Sequence, residues 1–148
     1  MLLEILQHPD PRLRLKAEPV EGVHAIQSLI DDMVETMYAA IGCGLAAPQV
    51  GSGLRVFIVD CPVSEEDDDS ELRVFVNPQI VWRSKRSASL KEGCLSVPGL
   101  RVVRPRAAKI AVVALDRHGV EFKLHAEGLL AVAIQHENDH LDGVLIVD

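Results

Sequence analysis

Cysteine is scarce in this chain: three in 148 residues, at Cys43, Cys61 and Cys94. An odd and small number excludes a disulfide framework and favours a reducing compartment, the cytoplasm, where a thiolate is free to bind metal. Positive charge is also short. With 15 Lys and Arg against 22 Asp and Glu, the net charge is −7, which argues against a nucleic-acid surface because phosphate binding needs clustered cations. No apolar run approaches the roughly 20 residues of a membrane span. The start, Met1-Leu2-Leu3-Glu4-Ile5-Leu6, lacks the basic stretch and long apolar core of a signal peptide. Neither a repeat nor a linker divides the sequence, so residues 1–148 are expected to form a single domain.

What is present reads as an ordinary globular protein: 48% hydrophobic and 25% charged residues leave little room for general disorder. The Pro-interrupted segment His8 to Arg14 should be irregular with a short turn. From Val23 to Ile41 the apolar residues Ile26, Ile30, Met33, Val34, Met37 and Ile41 fall at helical spacing, and Gly42 and Gly44 should stop that helix. Short β-like runs follow. Leu54 to Val59 and Leu72 to Val76 flank the acidic run Glu65 to Asp69, which reads as a solvated hairpin loop. Asn77-Pro78 should end one strand and Ile80 to Trp82 begin another, with Trp82 packing in the core or at an edge. Val102-Val103, Ile110 to Leu115 and Val120 to Leu124 are further strands, the last two joined by the turn Asp116-Arg117-His118-Gly119. Leu129 to Leu141 is apolar nearly all round, which marks a buried helix with no break until Gly143. The expected fold class is α+β: mostly antiparallel strands packed around that buried helix, plus an N-terminal helix.

Chemistry is concentrated on the buried helix. His136 and His140 stand four apart, one turn above the other on one face, so both imidazoles reach one ion. Glu137 is rotated about 100° from His136 and is the usual general base in such sites. Two surface histidines with salt partners are the bland alternative, but this helix is otherwise apolar and burying four polar groups idly is costly. A catalytic site needs a third protein ligand and an open position. Candidates are Cys94, Cys61, Cys43 or a downstream His or Glu, although only eight residues follow His140. Cys94 lies in Glu92-Gly93-Cys94-Leu95-Ser96-Val97-Pro98, where Gly and Pro let the backbone turn close to an ion, whereas Cys61 and Cys43 read as small buried hydrophobes.

Gly42 to Gly51 is rich in small residues that permit close backbone approach. It is no phosphate loop, since no Lys-Ser/Thr follows and no strand leads in. Gln49 ends its apolar run as a neutral amide donor, able to polarise a carbonyl without competing for metal.

Together these three segments resemble the peptide deformylases. The family patterns G-x-G-hydrophobic-A-A-x-Q, E-G-C-hydrophobic-S and Q-H-E-x-D-H read here, complete and in order, as Gly42 to Gln49, Glu92 to Ser96 and Gln135 to His140. The likeness runs from Pro9-Asp10 to Asp148. It implies removal of the N-formyl group from the initiator methionine of new peptides, with release of formate. It assigns Cys94, His136 and His140 as ligands of one divalent metal ion, Fe²⁺ by expectation, with Ni²⁺, Co²⁺ or Zn²⁺ able to substitute. A metal-bound water would attack the formyl carbon with Glu137 as general base and acid, while Gln49 and the Leu95 N–H stabilise the oxyanion. Gly44 and Leu45 would bind an extended peptide by backbone hydrogen bonds. Leu129, Val132 and Ala133 would form the methionine pocket, and Arg101 would stand near the cleft. A small zinc endopeptidase or an inactive metal-binding protein are the competing readings.

The chain departs from the pattern in three places. Cys43 replaces the usual Ile or Val and is exposed to oxidation beside the site, and Asn138 fills a place that is often apolar. The chain stops eight residues after His140, so the resemblance is to short forms without the C-terminal helix associated with ribosome docking, as in phage, organelle and some bacterial members. The expected partners are N-formylmethionyl peptides and, by some other route, ribosome-associated nascent chains; no nucleic acid or membrane is expected, and the protein should be a monomer.

Overall fold

In the computed structural model, residues 1–62 and 70–148 are described; the acidic run Glu65 to Asp69, and so the loop expected there, lies outside them. A helical turn at Val23–Ile26 leads into α1, Gln27–Ala39, which buries Ile30, Met33 and Met37 along one face. Seven strands follow among the described residues: β1 Gly44–Ala46, β2 Val56–Pro62, β3 Ser70–Arg83, β4 Ser87–Cys94, β5 Val97–Ala107, β6 Lys109–Leu115 and β7 Glu121–Glu127. The last helix, α2, spans Gly128–Leu141. Five strands form an antiparallel sheet in the order β1-β2-β3-β6-β7, and β4 and β5 form a separate hairpin. The α+β architecture with a motif-bearing buried helix is as the sequence predicts.

Alternation along β2 places the two helices on opposite faces of the sheet. Phe57, Val59 and Cys61 enter one core with Leu130, Ile134 and Leu141 of α2, while Val56 and Ile58 enter another with Ile30, Met33 and Met37 of α1. Phe57 stacks on Phe75 at 4.8 Å between ring centres, and Phe122 leans on Phe75 at 5.6 Å. Phe57 and Phe75 are fully buried, each worth about 2–3 kcal/mol, and Phe122 is partly buried. α2 is buried along most of its length and stops at Gly143 as expected, in the left-handed region at φ 76°.

Three details differ from the sequence reading. Asn77-Pro78 does not end a strand: β3 runs through it with a register shift between Val76 and Gln79. Asn77 takes a left-handed φ of 50°, and its side chain accepts from Val20 N–H at 2.7 Å and donates to Val20 C=O at 2.8 Å. The bulge thus accommodates a proline that a regular interior strand would reject. Trp82 is 50% exposed and belongs neither to the core nor to an edge strand. Finally, α1 ends before Gly42. Ile41 N–H bonds Tyr38 C=O and Gly42 N–H bonds Met37 C=O, so the left-handed residue that closes the helix is Ile41, at φ 57°. A β-branched residue there costs about 1–2 kcal/mol.

Candidate active site

β1 is an edge strand of the five-stranded sheet. The Cys43 carbonyl accepts from Asp60 N–H across to β2, so by antiparallel alternation the backbone groups of Gly44 point to the open side. Across from this edge lies the β4–β5 hairpin, and α2 forms the floor between them. A cleft of about 440 Å³ results, lined among others by Gly44, Gln49, Cys94, Leu95, His136 and Glu137.

Cys94 ends β4, where the two-residue turn Leu95-Ser96 brings it opposite Val97. His136 and His140 come from α2. Cys94 Sγ is 3.4 Å from His140 Nε2, and the two Nε2 atoms are 3.3 Å apart. Bonds of about 2.0–2.3 Å to one tetrahedral ion would set ligand atoms roughly 3.3–3.6 Å apart. The three donors therefore fit a single divalent ion, and all three are buried. Burial pushes His140 down to about 3, leaving the neutral imidazole that a ligand must be. Burial also works against charge on His136, but Cys94, Glu137 and Glu92 overturn it and raise that group to about 10.

Glu137 stands beside these donors, buried, with Oε1 lacking any hydrogen-bond partner. Desolvation pushes its carboxyl up to about 7, against the opposing pull of His136. Such a group takes and returns a proton near neutral pH. A Cβ on Gly44 would lie 2.5 Å from Glu137 Oε2, so only glycine leaves room for that carboxylate. Gln49 is held at both ends. Its Oε1 accepts from Ala46 N–H at 2.9 Å, and its Nε2 donates to Ser96 Oγ at 3.1 Å and lies 3.6 Å from Cys94 Sγ.

Behind His136 is a network to which the sequence reading gave no role. His136 Nδ1 is 3.1 Å from Glu92 Oε1. Arg106 binds both Glu92 oxygens, at 2.7 and 2.9 Å, and Asp139 at 2.9 Å. Burial would raise Glu92, yet the bonds from His136 and Arg106 overrule it and hold the carboxylate at about 2. Glu92 and Asp139 fall inside quoted motifs and were open to discovery; Arg106 carries no local signal.

Of the expected substrate-side residues, Gly44, Arg101, Leu129, Val132 and Ala133 all line the cleft. Leu45 does not: its side chain is buried in the α1 core, and by the same alternation its backbone turns to Ile58 of β2. His140 sits beneath the lining. The family model for polypeptide deformylase matches residues 2–148. The chain belongs to the polypeptide deformylase family. It is accordingly a hydrolase that removes N-formyl groups from nascent peptides, in a metal-dependent family. A peptide deformylase of Xylella fastidiosa is 54% identical over 151 residues, covering 99% of this chain and 86% of that protein. The crystal structure of a Legionella pneumophila peptide deformylase matches with a TM-score of 0.90 at 47% identity, covering 100% of this chain and 85% of that one. A Met-Ala-Ser-bound deformylase from Acinetobacter baumannii matches with a TM-score of 0.90 at 35% identity, covering 99% and 97%.

Proposed function

We propose that this chain, working as one monomeric catalytic domain in the cytoplasm, hydrolyses the formamide of N-formylmethionyl peptides with Cys94, His136 and His140 as metal ligands and Glu137 as proton carrier. The observation that carries the reading is the convergence of three buried donors at single-ion spacing beside an unpartnered, neutral-range carboxyl. A divalent ion held by those residues supplies Lewis acidity and makes water available as hydroxide near pH 7. The soft thiolate of Cys94 with two imidazoles suits Fe²⁺ and also accepts Ni²⁺, Co²⁺ or Zn²⁺.

The chain's own groups do the rest. Glu137 accepts the water proton through Oε1 and returns it to the leaving amine. Gln49 Nε2 and the Leu95 N–H donate to the developing oxyanion, each worth about 3 kcal/mol of barrier. The peptide lies extended along the open backbone edge of β1 at Gly44, beside Leu45, as an added strand; a peptide deformylase of Acinetobacter baumannii has been crystallised with Met-Ala-Ser bound. Leu129, Val132 and Ala133 receive the methionine side chain, and Arg101 flanks the exit. Nascent chains at the ribosome are the natural source of substrate. Incubation with formyl-Met-Ala-Ser should release formate without internal cleavage. The Glu137→Gln variant should retain metal and lose turnover by at least about 10³-fold; unchanged turnover would remove Glu137 from its role.

A further inference from the structure

Ile41 is an anomaly that the fold does not explain. It occupies the left-handed closing position of α1, φ 57°, where glycine fits without strain, although a glycine stands next in sequence at position 42. It is 93% exposed, more than any other large hydrophobic among the described residues. A strained backbone carrying an unpacked aliphatic group brings the fold nothing, so its use lies outside the folded chain. Its location supplies that use: Ile41 lines the same cleft as Glu137, as does the partly exposed Leu129.

Distance along the chain bounds what it meets. Gly44 abuts Glu137, and Ile41 lies three residues back across the turn that closes α1, so it is at most about 10 Å from Gly44, the limit set by an extended rise of about 3.3 Å per residue. A peptide with its formyl carbon at Glu137 and its backbone antiparallel to β1 runs outward past Cys43 and Gly42. Its third residue, two beyond formylmethionine, then arrives beside Ile41. We infer that Ile41 is a specificity-determining residue that gives this enzyme a preference for an apolar side chain at the third position of its substrate. The preference comes from apolar area that leaves water only when that side chain is present. This inference rests on the deformylase reading of the cleft.

The test compares formyl-Met-Ala-Leu with formyl-Met-Ala-Ser on the metal-loaded enzyme and on Ile41→Asn, since asparagine tolerates the left-handed conformation. The wild type should favour the Leu peptide by about fivefold in kcat/KM, expressed in KM rather than kcat. In Ile41→Asn the ratio should fall to about one, while the Tm holds or rises because strain is relieved. A ratio near one in the wild type, or a ratio that survives the substitution, would overturn the inference and leave the deformylase reading standing. A fall in Tm for both Ile41→Asn and Ile41→Gly would assign the residue a structural role instead and overturn it equally. No formate from either peptide would sink the deformylase reading itself, and the inference with it.

Discussion

At the scale of single residues, the site depends on what glycine leaves out. Alanine at position 44 would force its Cβ against Glu137 Oε2, and the fully buried carboxyl has nowhere to go without leaving its place. A displacement of about 1 Å at a catalytic group can cost about 10²-fold. Gly44→Ala should therefore lower kcat by about that factor with little change in Tm, measured by formate release and thermal melting. Cys43 offers a second test. The Cys61 thiol hydrogen-bonds to it and holds its thiol below the usual range, and the same contact pushes Cys61 up. Cys43 is exposed at the cleft and Cys61 is buried. Limited alkylation of the metal-loaded protein, followed by peptide mass mapping, should therefore label Cys43 first and leave Cys61 and Cys94 unmodified. Equal labelling of Cys61 would contradict the arrangement.

At the scale of elements, Arg106 holds β5, β4 and α2 together through Glu92 and Asp139. Its guanidinium and Glu92 are almost wholly buried, so removing one partner strands a charge. Arg106→Met should destabilise the metal-free protein by about 3 kcal/mol and weaken metal binding about 10- to 100-fold, because His136 loses its orienting carboxylate. Denaturant unfolding and competition with a metal indicator would measure the two effects separately. This network also shows how legible the elements were. α2 could be read from sequence because it is apolar on every side, so its polar residues stood out. The β4–β5 hairpin was barely visible, since β5 is exposed over most of its length and water places few demands on composition. Only Val102-Val103 gave it away. Asn77-Pro78 misled for another reason: a local turn signal was overridden by bonds to Val20, 57 positions away in the chain. The partners of Arg106 were chosen in the same nonlocal way.

At the scale of the molecule, the residues proposed to react were legible and their support was not. The order of motifs gave donors, proton carrier and amide; the depth of the cleft and the free edge of β1 required the fold. The metal cluster draws Cys94 from the hairpin and both histidines from α2, so an ion bound there favours the assembled protein over the unfolded chain. Chelation should lower Tm by on the order of 10 °C for a metal held at about a thousand times its Kd, and re-addition of Fe²⁺ or Ni²⁺ without oxygen should restore it. A Tm indifferent to chelation would show that the hairpin stays docked without the ion.

The five-stranded sheet and the β4–β5 hairpin share no ladder among the described residues. The hairpin is fastened to α2 by the two bonds between Gln135 and Ala107, by Arg106 on Asp139, and by the cluster at Cys94. One of these fastenings, the contact of Cys94 with His140, runs through the proposed metal ligands, while the Gln135 and Arg106 bonds do not. Replacing Cys94 should therefore loosen the tip of the hairpin as well as the hold on the ion, while the Ala107 end stays tied to α2.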